Sequence, residues 1–130
     1  MDENPLLIVD GANVVGSRPN GWWRDRAGAA ARLRDSLAPV AATGLAARLD
    51  APVEVVLVVE GAARDVPGID DVRVVSAPGS GDDAVVELVQ AAPRRRRLVV
   101  TADRELRERV TALGAEVYGP RWLRETPANR

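Results

Sequence analysis

The chain has 130 residues, a mass of 13.9 kDa and a net charge of −1, dimensions that predict one domain. Hydrophobic residues make up 46% and charged residues 28%, and no apolar run approaches the ~18 residues of a membrane-spanning helix, so a soluble globular protein is expected. Cysteine, histidine and lysine are absent and all 18 cationic side chains are Arg, which excludes disulfides, thiol nucleophiles, Cys/His zinc sites, histidine bases, Schiff-base chemistry and a P-loop lysine. Chemistry is left to carboxylates, hydroxyls, Arg, backbone amides and a borrowed metal. The opening Met1-Asp2-Glu3-Asn4 is neither a basic leader nor a signal peptide, and a cytoplasmic address is expected.

In chain order, the apolar run 6–9 ends at Asp10-Gly11-Ala12-Asn13 and predicts a buried strand entering a turn. Residues 22–50 are rich in Ala, Leu and Arg at helical spacing, and Pro39 and Gly44 either divide this stretch into two helices or kink one. The β-branched run 53–59 predicts a buried strand ending at Glu60-Gly61, and a third strand is expected over 72–76. Pro78-Gly79-Ser80-Gly81 reads as a loop, and Asp82-Asp83 opens a helix whose apolar face is Val85, Val86, Leu88, Val89 and Ala92. Arg94 to Arg97 connects to a fourth strand over 98–101. Asp103 then opens a helix that Gly114 stops, 115–118 is a short last strand, and the stretch from Gly119 reads as a fraying tail. The expected division is a domain over 1–118 and a tail over 119–130.

Strands alternating with helices predict a mostly parallel sheet covered on both faces, a three-layer α/β/α sandwich. Sites in such sheets form at the carboxyl ends of the strands. Asp10, Glu60, Asp82, Asp83 and Asp103 all fall at that rim, where like charges raise one another's pKa and call for a counter-charge. With no Lys or His present, the economical counter-charge is a hard dication, Mg²⁺ or Mn²⁺, held by a few carboxylates and several waters. Each acid also has an everyday explanation: Asp82 or Asp83 caps a helix, Ser80-x-x-Asp83 resembles a capping box, and Asp103 begins a helix. The segment Gly79-Ser80-Gly81-Asp82-Asp83-Ala84 also fits a dinucleotide fingerprint. Charge argues against that reading, because two carboxylates in the cradle would repel a pyrophosphate.

Three segments, Leu7-Ile8-Val9-Asp10-Gly11-Ala12-Asn13-Val14-Val15, Gly81-Asp82-Asp83-Ala84-Val85 and Val99-Val100-Thr101-Ala102-Asp103-Arg104, resemble in order the motifs of the YacP-like NYN branch of the PIN-like nuclease superfamily. The resemblance runs from about Leu6 to Tyr118. It implies a PIN-like fold and metal-dependent cleavage of RNA leaving a 5′-phosphate, with Asp10, Asp83 and Asp103 in the metal positions and Asp82 close by. The family usually adds a further acid from an intervening helix, a place for which Asp25, Asp35 and Glu60 compete here.

Around this core, Asn13 either orients a water or phosphate through its amide or bonds its own turn. Thr101 either contacts the metal's water or is a buried strand residue. Arg18, Arg24 and Arg26 follow the first motif and suit phosphates, with Trp22 and Trp23 between them suiting stacked bases of single-stranded RNA; one Trp of the two is expected to serve as a hydrophobic staple instead. Arg94 to Arg97 falls on the opposite edge and reads as a solvated loop or a distant contact. The leading reading is therefore a metal-dependent ribonuclease. A nucleotide phosphohydrolase using the same acids, or a catalytically idle RNA-binding or interaction domain, stand as alternatives.

Overall fold

The computed structural model describes residues 4–16, 25–45 and 49–125. Strand β1 (Leu6–Asp10) lies at the centre of the sheet, with every residue buried. It pairs in parallel with β2 (Glu54–Val59) on one side and β4 (Arg97–Val100) on the other. The outer strands β3 (Val72–Ser76) and β5 (Glu116–Tyr118) extend the order to β3-β2-β1-β4-β5, all parallel. Central strands covered on both faces lack polar alternation, which is why 6–9 and 55–59 read as unbroken apolar runs.

Successive side chains point to opposite faces. Leu7, Val9, Leu57 and Val59 pack with Val14 and Val15 of α1 (Gly11–Gly16) and Ala30, Leu33 and Leu37 of α2 (Arg26–Thr43). Leu6, Ile8, Val56 and Val58 pack with Val85 and Val89 of α3 (Gly81–Gln90) and Leu106 and Val110 of α4 (Arg104–Ala112). This is the expected three-layer α/β/α sandwich. Among the described residues, no helix is long and apolar enough to cross a membrane.

Four local expectations are corrected. Residues 11–16 form a helical segment instead of a plain turn. It approaches β2 so closely that a Cβ on Gly11 would stand 2.6 Å from the Val58 carbonyl oxygen. Helix α2 accommodates Pro39 and ends at Gly44, whose φ of +80° favours glycine and whose N–H bonds the Val40 carbonyl. The stretch beyond Gly119 includes α5 (Pro120–Glu125), where Trp122 stacks on Tyr118 with ring centroids 4.2 Å apart and packs against the core.

The fourth correction concerns the Arg run. Arg97 is the first residue of β4 and only 6% exposed. Its guanidinium donates to the carbonyls of Val89 (2.8 Å), Leu113 (2.9 Å) and Arg95 (3.2 Å). It thereby joins the carboxyl ends of α3 and α4, where backbone carbonyls lack helical partners and favour a cation. Arg95 pairs with Glu54 at 2.7 Å and Arg96 with Glu116 at 2.6 Å. This run fastens the amino edge of the sheet.

Candidate active site

The chain lays down β1, β2 and β3 in one direction and then returns to the far side of β1 for β4 and β5. Connections leaving β1 and β4 diverge, opening a crevice at their carboxyl ends, the usual place for a site in such sheets. Val9 is level with Val100, so Asp10 and Thr101 meet just beyond the paired residues.

Asp10 is 5% exposed. Its Oδ2 accepts from the Thr101 hydroxyl at 2.9 Å, and that hydroxyl in turn accepts from the Asp103 N–H at 3.1 Å. The backbone N–H donor orients the threonine so that its proton points at the carboxylate. Burial pushes the Asp10 carboxyl up from 3.8 to about 6; the Thr101 hydrogen bond opposes this, Asp82 adds to it, the Asn13 backbone opposes it, and Glu60 adds to it. Asp82 is also raised, by burial first and then by the charges of Asp103 and Glu60, with Arg109 working against them. Repulsion between carboxylates from four separate stretches of chain therefore converges on this edge, as the sequence predicts.

The second motif is placed differently from expectation. Asp83, which the resemblance assigns to a metal position, has 74% of its side chain exposed and accepts from Arg109 at 3.1 Å. Asp82 is the one that faces the other acids. The cause is rotation about α3: Asp82 shares helical spacing with the buried Val85, Val86 and Val89, whereas Asp83 shares it with the exposed Glu87 and Gln90. That periodicity is the sequence signal by which Asp82 is recognisable.

The three acids that compete for the further place stand in different surroundings. Asp25 is the N-cap of α2, accepting from the Gly28 N–H, and Asp35 is an exposed partner of Arg34. Glu60 lies close enough for its charge to act on Asp10 and Asp82, and its Oε2 accepts from the Gly81 N–H at 2.6 Å. With Ser80 bonded to the Asp82 N–H at 3.1 Å, the start of α3 is filled by protein groups, which removes the dinucleotide reading. Asp103 caps α4 through the Leu106 N–H at 3.1 Å. The Oδ1 of Asn13 accepts from the Ala102 N–H at 2.7 Å, tying α1 to the loop after β4. Thr101 is fully buried, with its hydroxyl engaged by Asp10 and the Asp103 N–H.

Of the candidate substrate contacts, Arg18, Trp22 and Arg24 lie outside the described residues, as does Trp23. Arg26 opens α2 and lines a cleft of about 480 Å³ beside the acids, together with Gly11, Ala12, Val15, Glu60 and Ser80.

Among the described residues, no three carboxylates are drawn together tightly enough to enclose an ion by themselves. The donor chemistry nevertheless fits a hard dication. Mg²⁺ is commonly held through one or two carboxylates while keeping several waters and substrate oxygens. A looser set of Asp10, Asp82, Asp103 and Glu60, in which burial and neighbouring charge raise Asp10 and Asp82, fits that mode.

A five-stranded parallel sheet covered by helices on both faces is a fold that this chain shares with solved structures. Among the solved structures it resembles are those of Rae1 (YacP) from Bacillus subtilis. One superposes with a TM-score of 0.70 at 22% identity, covering 96% of this chain and 73% of that one. A tryptophan-to-leucine mutant of the same protein gives 0.67 at 21% identity, covering 92% and 72%. At these identities the likeness is one of fold. No protein-family model and no curated protein matches the sequence.

Proposed function

We propose that the protein is a metal-dependent ribonuclease that hydrolyses phosphodiester bonds of single-stranded RNA with Mg²⁺ or Mn²⁺. A cytoplasmic setting is part of the proposal. The single observation that carries it is Asp10: a nearly inaccessible carboxyl, held at the crevice by Thr101 and surrounded by further acids, with its proton affinity raised to about 6. An arrangement that disfavours its own ionised form costs stability, and it is explained by a bound dication.

Asp10, Asp82 and Asp103 would hold the ion, with Glu60 beside them. When bound, such an ion supplies electrostatic stabilisation of a phosphoryl oxygen and of the leaving 3′-oxygen. The chain's own residues do the positioning. Thr101 fixes the rotamer of Asp10 and favours its ionised form, Asn13 locks the α1 end to the β4 end, and Arg26 places a cation at the cleft. The Asp10 carboxyl must be deprotonated to act, so at pH values below about 6 binding of the ion releases its proton.

Single-turnover cleavage of end-labelled single-stranded RNA with Mn²⁺, then with EDTA, tests the reading. Cleavage that EDTA abolishes and Asp10→Asn removes is expected. Folded protein that leaves RNA intact under these conditions overturns it. A second reading, hydrolysis of free nucleotides by the same acids, is favoured by one observation, the 480 Å³ cleft. Release of phosphate or pyrophosphate from nucleoside triphosphates, with RNA left intact, would establish it.

A further inference from the structure

The cleft beside the acids has its own chemistry. Its inner wall is apolar, formed by Val15, Ala30, Val59 and Ala63, and its mouth carries Glu60 and Arg26. A volume of about 480 Å³ falls in the range of sites that enclose small ligands, and apolar walls with a few fixed polar groups are how such sites orient a ring. Arg26 adds positive charge to the lining, and Glu60 supplies an acceptor for a ring substituent.

Glu60 is unusually well fixed for a residue of its length. Its Oε2 is anchored on the Gly81 N–H at 2.6 Å, while its Oε1 has no hydrogen-bond partner among the described residues. An ionised carboxylate is an acceptor only. A fixed acceptor in an apolar cleft discriminates sharply, because a ring that presents a carbonyl there leaves two acceptors facing each other. Adenine, cytosine and guanine carry amino groups, whereas uracil carries none, and carboxylates read the cytosine amino group in this way.

We propose that this cleft is a nucleobase subsite for the nucleotide beside the scissile phosphate, and that Glu60 Oε1 accepts an exocyclic amino group there, selecting amino-bearing bases over uracil. The proposal deepens the ribonuclease reading and rests on it for the phrase "beside the scissile phosphate". Glu60 is then a specificity residue of the cleft in addition to adding charge at the acidic edge.

The test is equilibrium binding of CMP, AMP, GMP and UMP to the full chain in EDTA at fixed ionic strength, followed by amide shifts of Gly11, Gly61 and Ala63. Amino-bearing nucleotides should bind about tenfold more tightly than UMP, the effect of one charge-assisted hydrogen bond. Glu60→Gln keeps an oxygen for the Gly81 N–H and replaces the free acceptor by an amide donor, so UMP should gain and the ranking should reverse. Ala12→Trp, at an exposed position lining the mouth, should abolish binding of all four in a protein that still melts cooperatively.

Equal binding of the four nucleotides, no shifts at millimolar concentration, or shifts confined to another face overturns the proposal. So does a Glu60→Gln variant that loses Mn²⁺-dependent cleavage while keeping the original base ranking, which would make Glu60 a metal-side acid only. If base ranking and its reversal hold while RNA is not cleaved, the subsite stands and the ribonuclease reading fails.

Discussion

The hydroxyl of Thr101 donates to Asp10 Oδ2 at 2.9 Å across 91 positions of sequence, and this bond is the one contact that opposes the burial of Asp10 most strongly. Thr101→Val replaces the hydroxyl with a methyl of similar size. The Asp10 carboxyl should then titrate above 6, and the Asp103 N–H loses its acceptor, costing about 1–3 kcal/mol. Carboxyl-carbon NMR titration reads the first effect and urea melts the second. An unchanged Asp10 titration would remove Thr101 from its positioning role.

Asp10 itself should destabilise the metal-free fold at neutral pH. Its folded-state pKa, about 6, lies above the ordinary 3.8, so between those values the folded chain holds a proton that the unfolded chain has released. Stability therefore falls as pH rises through that window, by roughly 3 kcal/mol in all, and the loss is complete above the folded pKa. Asp10→Asn should melt at a higher temperature than the parent at neutral pH, with the gain shrinking toward about pH 4. Added Mn²⁺ should raise the melting temperature of the parent and not of the variant.

Asp82 and Asp83 should behave oppositely to what their shared motif suggests. Asp82→Asn removes a charge that presses on Asp10; it should lower Mn²⁺-dependent cleavage by about 100-fold or more, beyond the effect of outer partners in metal sites. Asp83→Asn removes an exposed ion pair with Arg109 and should change stability by less than about 1 kcal/mol and cleavage little. Parallel single-turnover rates of the two variants decide this. A larger loss for Asp83→Asn would return that residue to the site.

Arg97 should matter for folding alone. Arg97→Met keeps the length of the side chain but leaves the carbonyls of Val89 and Leu113 without their guanidinium donor, at a cost of about 2–4 kcal/mol. Because Arg97 starts β4 and Asp103 follows its other end, Mn²⁺ affinity of the folded fraction should be unchanged. Denaturant melts and manganese titration separate the two effects.

Much of this molecule is written locally. The apolar runs that become β1, β2 and β4, the glycine that ends α4, and the delivery of Asp10, Glu60 and Asp103 to one rim follow from short-range pattern and the geometry of parallel sheets. The sandwich shared with the Rae1 (YacP) structures is legible because three motif-like segments span most of the chain in order. The tail was misread because Trp122 gains its place only by stacking on Tyr118 and packing on a core the local pattern does not reveal.

What tertiary structure alone decided is which polar groups face inward. Neighbouring residues of a helix point about 100° apart, so the choice between Asp82 and Asp83 waits on the rotation of α3, set by Val85 and Val89 seated on the sheet. Arg97 became structural because two helices happen to end beside it, and Glu60 became part of the site because the start of α3 offered its oxygen an N–H. Sequence carried the inventory and the edge on which it collects; packing of distant segments fixed the orientation of each charge, because orientation depends on contacts that no single stretch of chain contains.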